Sequence, residues 1–156
     1  MPLRPSLLSL RITTGILSVL IFGQVALAGG FLGGHYDMLA LHGLLARVLT
    51  VVALLTAVAA FFVRRAGGPR SVLPAAIVLV VALVGEIALG LARAVSVHVF
   101  LGVVLVSAVV VLTQRVITTP LPAKTPVAKT PAAETPAAEI PAPGAPDETL
   151  APEAVR

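Results

Sequence analysis

The sequence predicts an all-α membrane protein: a four-transmembrane-helix bundle built from one helical hairpin written twice, with a disordered Pro/Ala-rich C-terminal tail. Three observations predict it. The 156 residues are 58% hydrophobic and 12% charged, with a mean hydropathy of +1.04. A soluble domain is about 45–50% apolar and about 25% charged, so the surplus apolar surface must be covered by lipid. Four apolar stretches each reach the roughly 20 residues that a helix needs to cross a bilayer. Finally, Gln24-Val25-Ala26-Leu27-Ala28 precedes His42 as Glu86-Ile87-Ala88-Leu89-Gly90 precedes His98.

The first span is expected over about Ile12–Ala28 and the second over about Met38–Val63. The third covers about Val72–Leu91 and the fourth about Val95–Ile117. Breakers part them: Gly29-Gly30-Phe31-Leu32-Gly33-Gly34, then Ala66-Gly67-Gly68-Pro69, then Ala92-Arg93-Ala94. Many of these residues are Val and Ile, which favour strands in water. In lipid the helix wins, because each segment must satisfy its own backbone groups. Arg4 and Arg11 ahead of an apolar stretch ending in Ala26-Leu27-Ala28 also fit a cleavable signal peptide. Against cleavage, Gln24 holds the place that Glu86 holds in the third span, and the repeat would lose half a hairpin.

Lys and Arg set the expected orientation. Arg4, Arg11, Arg64, Arg65, Arg70, Arg115, Lys124 and Lys129 flank one side of the spans, and only Arg93 lies in the first or third connection. Positive-inside reasoning puts both termini in the cytoplasm of a multi-pass cell-membrane protein. Residues 1–118 form the membrane domain. Residues 119–156 carry Pro126, Pro131, Pro136, Pro141 and Pro146 at a five-residue spacing, too dense for a helix or a ladder, and are expected to be a cytoplasmic PPII-rich tail. No cysteine is present, which excludes disulfides, thiolate metal sites and a Cys nucleophile. The net charge of +4 comes from arginines beside apolar runs, a membrane-anchoring pattern with no nucleic-acid patch. Phosphate loops, nucleophile triads and zinc spacings are also missing.

The candidate chemistry lies in one polar layer. His42 and His98 fall about three or four residues below the starts of helices that run the same way, roughly 5–6 Å deep. Gln24 and Glu86 lie near the matching ends of the first and third spans. Ionisable residues inside a membrane segment are costly and mark functional sites. Two imidazoles at equal depth on parallel helices can supply both axial ligands of a haem. Haem propionates need cations, and Arg47, Arg93 and His35 are the candidates. Arg47 lies about 140° around its helix from His42, and an ion pair with Glu86 is an equal reading of it. Glu86 can orient an imidazole, carry a proton, or act as a structural hydrogen bonder. Gly43, Ala46, Gly85, Gly90 and Gly102 would let a macrocycle approach the backbone, or pack helices together.

The stretches Phe22-Gly23-Gln24-Val25-Ala26-Leu27-Ala28-Gly29, Leu41-His42-Gly43, Gly85-Glu86-Ile87-Ala88-Leu89-Gly90 and Val97-His98-Val99 resemble one four-helix half of the haem A synthase family. The resemblance covers about Arg11 to Ile117. It implies a haem-binding membrane bundle in which His42 and His98 ligate a haem b. The family's catalytic half has an acid three positions before its first histidine, where this chain has Leu39, and commonly an arginine after that histidine, where it has Gly43. The departures point away from haem A synthesis and towards electron transfer or haem handling, with a membrane redox partner or a homo-oligomer. The alternatives are a non-enzymatic accessory or scaffold protein, in which the polar layer only locks the helices, and a small transporter using Glu86 for proton coupling.

Overall fold

The computed structural model describes residues 2–122; the expected tail from 123 onward lies outside the described residues. Four helices follow in order: α1 (Leu3–Leu32), α2 (Met38–Arg65), α3 (Val72–Leu91) and α4 (Val95–Thr118). All four are long and apolar enough to cross a membrane. There is no strand among the described residues. Each helix packs against its two neighbours in a ring, so α1 faces α3, and α2 faces α4, across the diagonals.

Three helices begin or end within a few residues of expectation; α1 is longer at both ends. At its start, Ser6, Leu7 and Leu10 are buried, so the residues before Ile12 belong to the packed bundle. Pro5 is tolerated because N–H groups in a first turn have no helical partner. At its end, Gly29 and Gly30 stay helical and the break falls at Gly33-Gly34. A helical glycine costs about 1 kcal/mol, less than the several kcal/mol of an unsatisfied backbone group in lipid.

Three helix ends use one device. A residue with positive φ closes each: Gly34 at 97°, Gly67 at 84° and Arg93 at 58°. The next N–H then donates to a carbonyl five residues back, at 3.0 Å for His35 to Gly30, 2.9 Å for Gly68 to Val63 and 3.0 Å for Ala94 to Leu89. This is the Schellman closure that satisfies last-turn carbonyls. The C-terminus of α4 is closed by Arg11 from α1 instead, whose Nη2 donates to the carbonyls of Ile117 at 2.9 Å and Thr119 at 2.6 Å. A guanidinium at a helix C-terminus also meets the negative end of the dipole.

The repeat is written into the core. Buried Leu10, Thr14, Leu17 and Ile21 on α1 correspond one for one, at a constant offset, to buried Val72, Ala76, Leu79 and Leu83 on α3. Leu49, Ala53, Thr56 and Ala60 on α2 correspond likewise to Leu105, Val109, Leu112 and Val116 on α4. The buried hydroxyls need no partner helix: Thr14 donates to the Leu10 carbonyl at 2.8 Å and Thr56 to that of Val52 at 2.9 Å, satisfying them within their own turns.

This core fills only one half of the bundle, the half that carries Arg4, Arg11, Arg64, Arg65 and Arg115. In the other half, spanning residues 22–32, 38–48, 84–91 and 95–104, no residue is fully buried. That half holds the polar layer.

Candidate functional site

The two histidines meet across the α2–α4 diagonal. Their ring centroids are 6.1 Å apart with planes at 71°. Each ring is tied at Nδ1 to the neighbouring hairpin partner. His42 Nδ1 lies 3.3 Å from the Gln24 carbonyl, and His98 Nδ1 lies 3.1 Å from the Glu86 carbonyl. A carbonyl only accepts, so in a neutral ring Nδ1 carries the proton and Nε2 keeps its lone pair. Both rings therefore offer Nε2, the arrangement that fixes tautomer and orientation in metal-ligating histidines.

The two halves of the repeat then diverge. Gln24 grips His42 in return: its Nε2 donates to the His42 carbonyl at 3.0 Å. Glu86 instead adds its carboxylate, with Oε1 3.1 Å from His98 Nδ1. Among the described residues three buried side-chain polar atoms lack a partner, and two of them, Gln24 Oε1 and Glu86 Oε2, lie in this layer. A buried acceptor left unmet costs about 1–3 kcal/mol.

The second hairpin packs its clamp closely against two glycines. A Cβ on Gly90 would lie 3.2 Å from His98 Cε1, and one on Gly102 would lie 3.1 Å from Glu86 Oε1. The matching positions of the first hairpin, Ala28 and Ala46, carry methyl groups. Gly90 and Gly102 thus make room for the protein's own imidazole and carboxylate. At Gly43 and Gly85 a Cβ would meet nothing within 4 Å.

Gln24, His42, Glu86 and His98 are brought together as the spacing predicts. The three cationic candidates are not. Arg47 is exposed on the outer face of α2, and no hydrogen bond or ion pair of its side chain occurs among the described residues. The expected Arg47–Glu86 pair does not form, because Arg47 points away from the bundle axis while Glu86 turns inward to His98. Arg93 and His35 are exposed in the α3–α4 and α1–α2 loops. Sequence reasoning missed the Arg11 clasp on α4. It also missed a hydroxyl contact in the packed half, Ser18 Oγ to Thr113 Oγ1 at 2.8 Å. Neither carries a periodic signal, since each joins single residues from opposite ends of the domain.

Two surface grooves, of about 440 Å³ between α3 and α4 and about 370 Å³ between α1 and α4, touch neither histidine. No group of three or more His, Asp or Glu that could hold a bare metal ion occurs among the described residues.

The fold and site define a four-helix bundle with membrane-spanning helices and an imidazole pair near one end. No family model, curated protein or solved structure matches the chain.

Proposed function

We propose that this chain is an integral membrane haem-b protein of the cytochrome b kind, with His42 and His98 as axial ligands, serving electron transfer or haem handling. The observation that carries the reading is the 6.1 Å between ring centroids. A metal–imidazole bond is about 2.0 Å. Adding about 1.1 Å from ring nitrogen to ring centre on each side puts two axial imidazoles roughly 6 Å apart. The free Nε2 atoms and the lack of any fully buried residue in that half support it further. A bound iron would supply one-electron chemistry; the chain's part is to hold both rings by Nδ1 and keep the site between apolar helices.

We take both termini and the α2–α3 loop as cytoplasmic, since the arginines gather at that end. The resemblance to half of a haem A synthase agrees with a haem-holding bundle. Leu39 and Gly43, standing where that family has its acid and arginine, weigh against haem A synthesis. Arg47 and Arg93 are near enough to the site's end of the bundle to meet propionates only if the porphyrin edge projects between helices. The scaffold alternative draws its support from the Gln24–His42 clasp, which locks α1 to α2 with no cofactor.

An absorption spectrum of the detergent-purified protein tests the reading. The expected result is a Soret band with sharp α and β bands on reduction, weakened in His42→Ala and His98→Ala. A colourless protein after expression with ample haem overturns it and leaves the scaffold reading.

A further inference from the structure

We propose that the groove between α3 and α4 holds one anionic phospholipid, with an acyl chain along its floor and the phosphate on the Arg115 guanidinium. The groove lies on the lipid-facing surface and borders neither histidine, so it is independent of the haem reading.

The groove marks a difference between the two hairpins. It measures about 440 Å³ and is lined by apolar side chains, with Arg115 as its charged member. Buried Leu79 and Leu105 make its floor. Small residues make its width. At the offsets that match the buried positions, Ala82 corresponds to Leu20 of α1 and Ala108 to Val52 of α2. Leu20 and Val52 are half-buried and pack against the core. The second hairpin carries only methyl groups at these positions, and the space stays open. Arg115 corresponds to Ala59, which is buried. The small residues and the cation thus belong together to the second hairpin.

Length and charge fit a lipid. From Leu101 to Arg115 the groove follows α4 for about 21 Å at 1.5 Å per residue. One leaflet of hydrocarbon is about 15 Å, half of the roughly 30 Å core. The groove therefore runs the depth of a leaflet and ends on a guanidinium in the last turn of α4. A long side chain there reaches the headgroup level. Arg115 is exposed, and its side chain makes no hydrogen bond or ion pair among the described residues. The two acids of the described residues, Asp37 and Glu86, both lie in the histidine half. A phosphate diester supplies the missing counter-charge, and a guanidinium binds it with two parallel hydrogen bonds. The apolar trough alone would take any acyl chain; the cation selects the headgroup. The groove between α1 and α4 has hydroxyls and an amide but no cation, and offers no such selection.

The test uses the full chain purified in detergent. It is equilibrated with mixed micelles holding equal amounts of phosphatidylglycerol and phosphatidylcholine with the same acyl chains. Native mass spectrometry counts the lipid that stays bound. The expected result is one retained phosphatidylglycerol, favoured over phosphatidylcholine by about fivefold, the equivalent of the roughly 1 kcal/mol that one arginine contributes near an anionic surface. Arg115→Gln removes that preference. Arg65→Gln, which removes the same charge from α2 across the diagonal, keeps it. Ala82→Leu combined with Ala108→Val installs the first hairpin's residues, fills the groove and lowers retention of both lipids. Excess inorganic phosphate displaces neither. Circular dichroism and gel filtration establish that each variant is folded; if the groove-filled variant is not, the two arginine variants decide. Four outcomes overturn the inference. They are equal retention of both headgroups by the wild type, a preference that Arg65→Gln lowers as much as Arg115→Gln, a folded groove-filled variant that retains lipid as the wild type does, and displacement of the lipid by inorganic phosphate, the mark of a site for the free anion.

Discussion

The two halves of this bundle are built from the same four apolar helices and differ in how they are finished. In the arginine-flanked half the axis-facing stripe of all four helices is buried, from Leu10 to Ile21 and from Leu105 to Val116. In the histidine half the same stripes continue, but they carry Gln24, His42, Glu86 and His98, and no residue is fully buried. In lipid, hydrophobicity does not drive helices together; close packing and polar contacts do. One half therefore supplies stability and register. The other holds four polar groups in fixed orientation through the contacts of Gln24 with His42 and of Glu86 with His98.

The largest expected effect tests that division of labour. Leu49 is 1% exposed, and Leu49→Ala should cost about 2–5 kcal/mol of unfolding free energy, as core truncations do. Leu45 lies one turn nearer the histidines and is only half-buried. Leu45→Ala should cost about half as much in the haem-free protein, because little surrounds the atoms removed. Denaturation in mixed micelles, read by circular dichroism, compares them. Equal costs would erase the distinction between the halves.

A smaller effect sharpens the comparison inside the histidine half, between its two hairpins. Gly102→Ala pushes a methyl group to 3.1 Å from Glu86 Oε1, whereas Gly43→Ala meets nothing within 4 Å. Gly43→Ala should be neutral or stabilising by up to about 1 kcal/mol, the helix-propensity gain of Ala over Gly. Gly102→Ala should fall below it by about 1–3 kcal/mol through overpacking; on the proposed haem reading it should also lower haem occupancy by loosening the His98 clamp. Thermal unfolding and haem-to-protein ratio read both. If the two variants behave alike, the second hairpin is no more tightly clamped than the first.

The fold was legible in the sequence because a membrane span is a length and composition signal, and here it occurs four times. The repeat was legible from Gln24–His42 and Glu86–His98 and extends to four buried pairs between α1 and α3 and four between α2 and α4. The polar layer was legible because depth follows from counting residues along a helix. Direction around the helix was less so: Arg47 was offset from His42 by an angle that already argued against a shared face, yet its pairing with Glu86 needed the backbone to refute it. The α1 boundaries were misjudged because Gly29 and Gly30 break helices in water and not in an apolar phase. The role of Gly90 and Gly102 was hidden, since the sequence cannot say whether a glycine makes room for a ligand or for a neighbouring side chain.

The smallest expected effect concerns the loop that holds the clamped hairpin in register. Of the three residues that close helix ends with positive φ, two are glycines and the third is Arg93, at 58°. A side chain in that region carries a penalty of roughly 1–2 kcal/mol, which glycine escapes. Gly34 and Gly67 sit in the loops after α1 and α2, so the strain falls only where α3 turns into α4, between Glu86 and His98. Arg93→Gly should therefore stabilise the haem-free bundle, by about 1 kcal/mol once the entropy of a glycine in the unfolded chain is subtracted. If Arg93 is kept for a propionate, the same variant should bind haem less tightly while unfolding at a higher temperature. A rise in both would make Arg93 a strained turn residue and nothing more, and would leave the Glu86–His98 clamp as the feature that distinguishes the second hairpin.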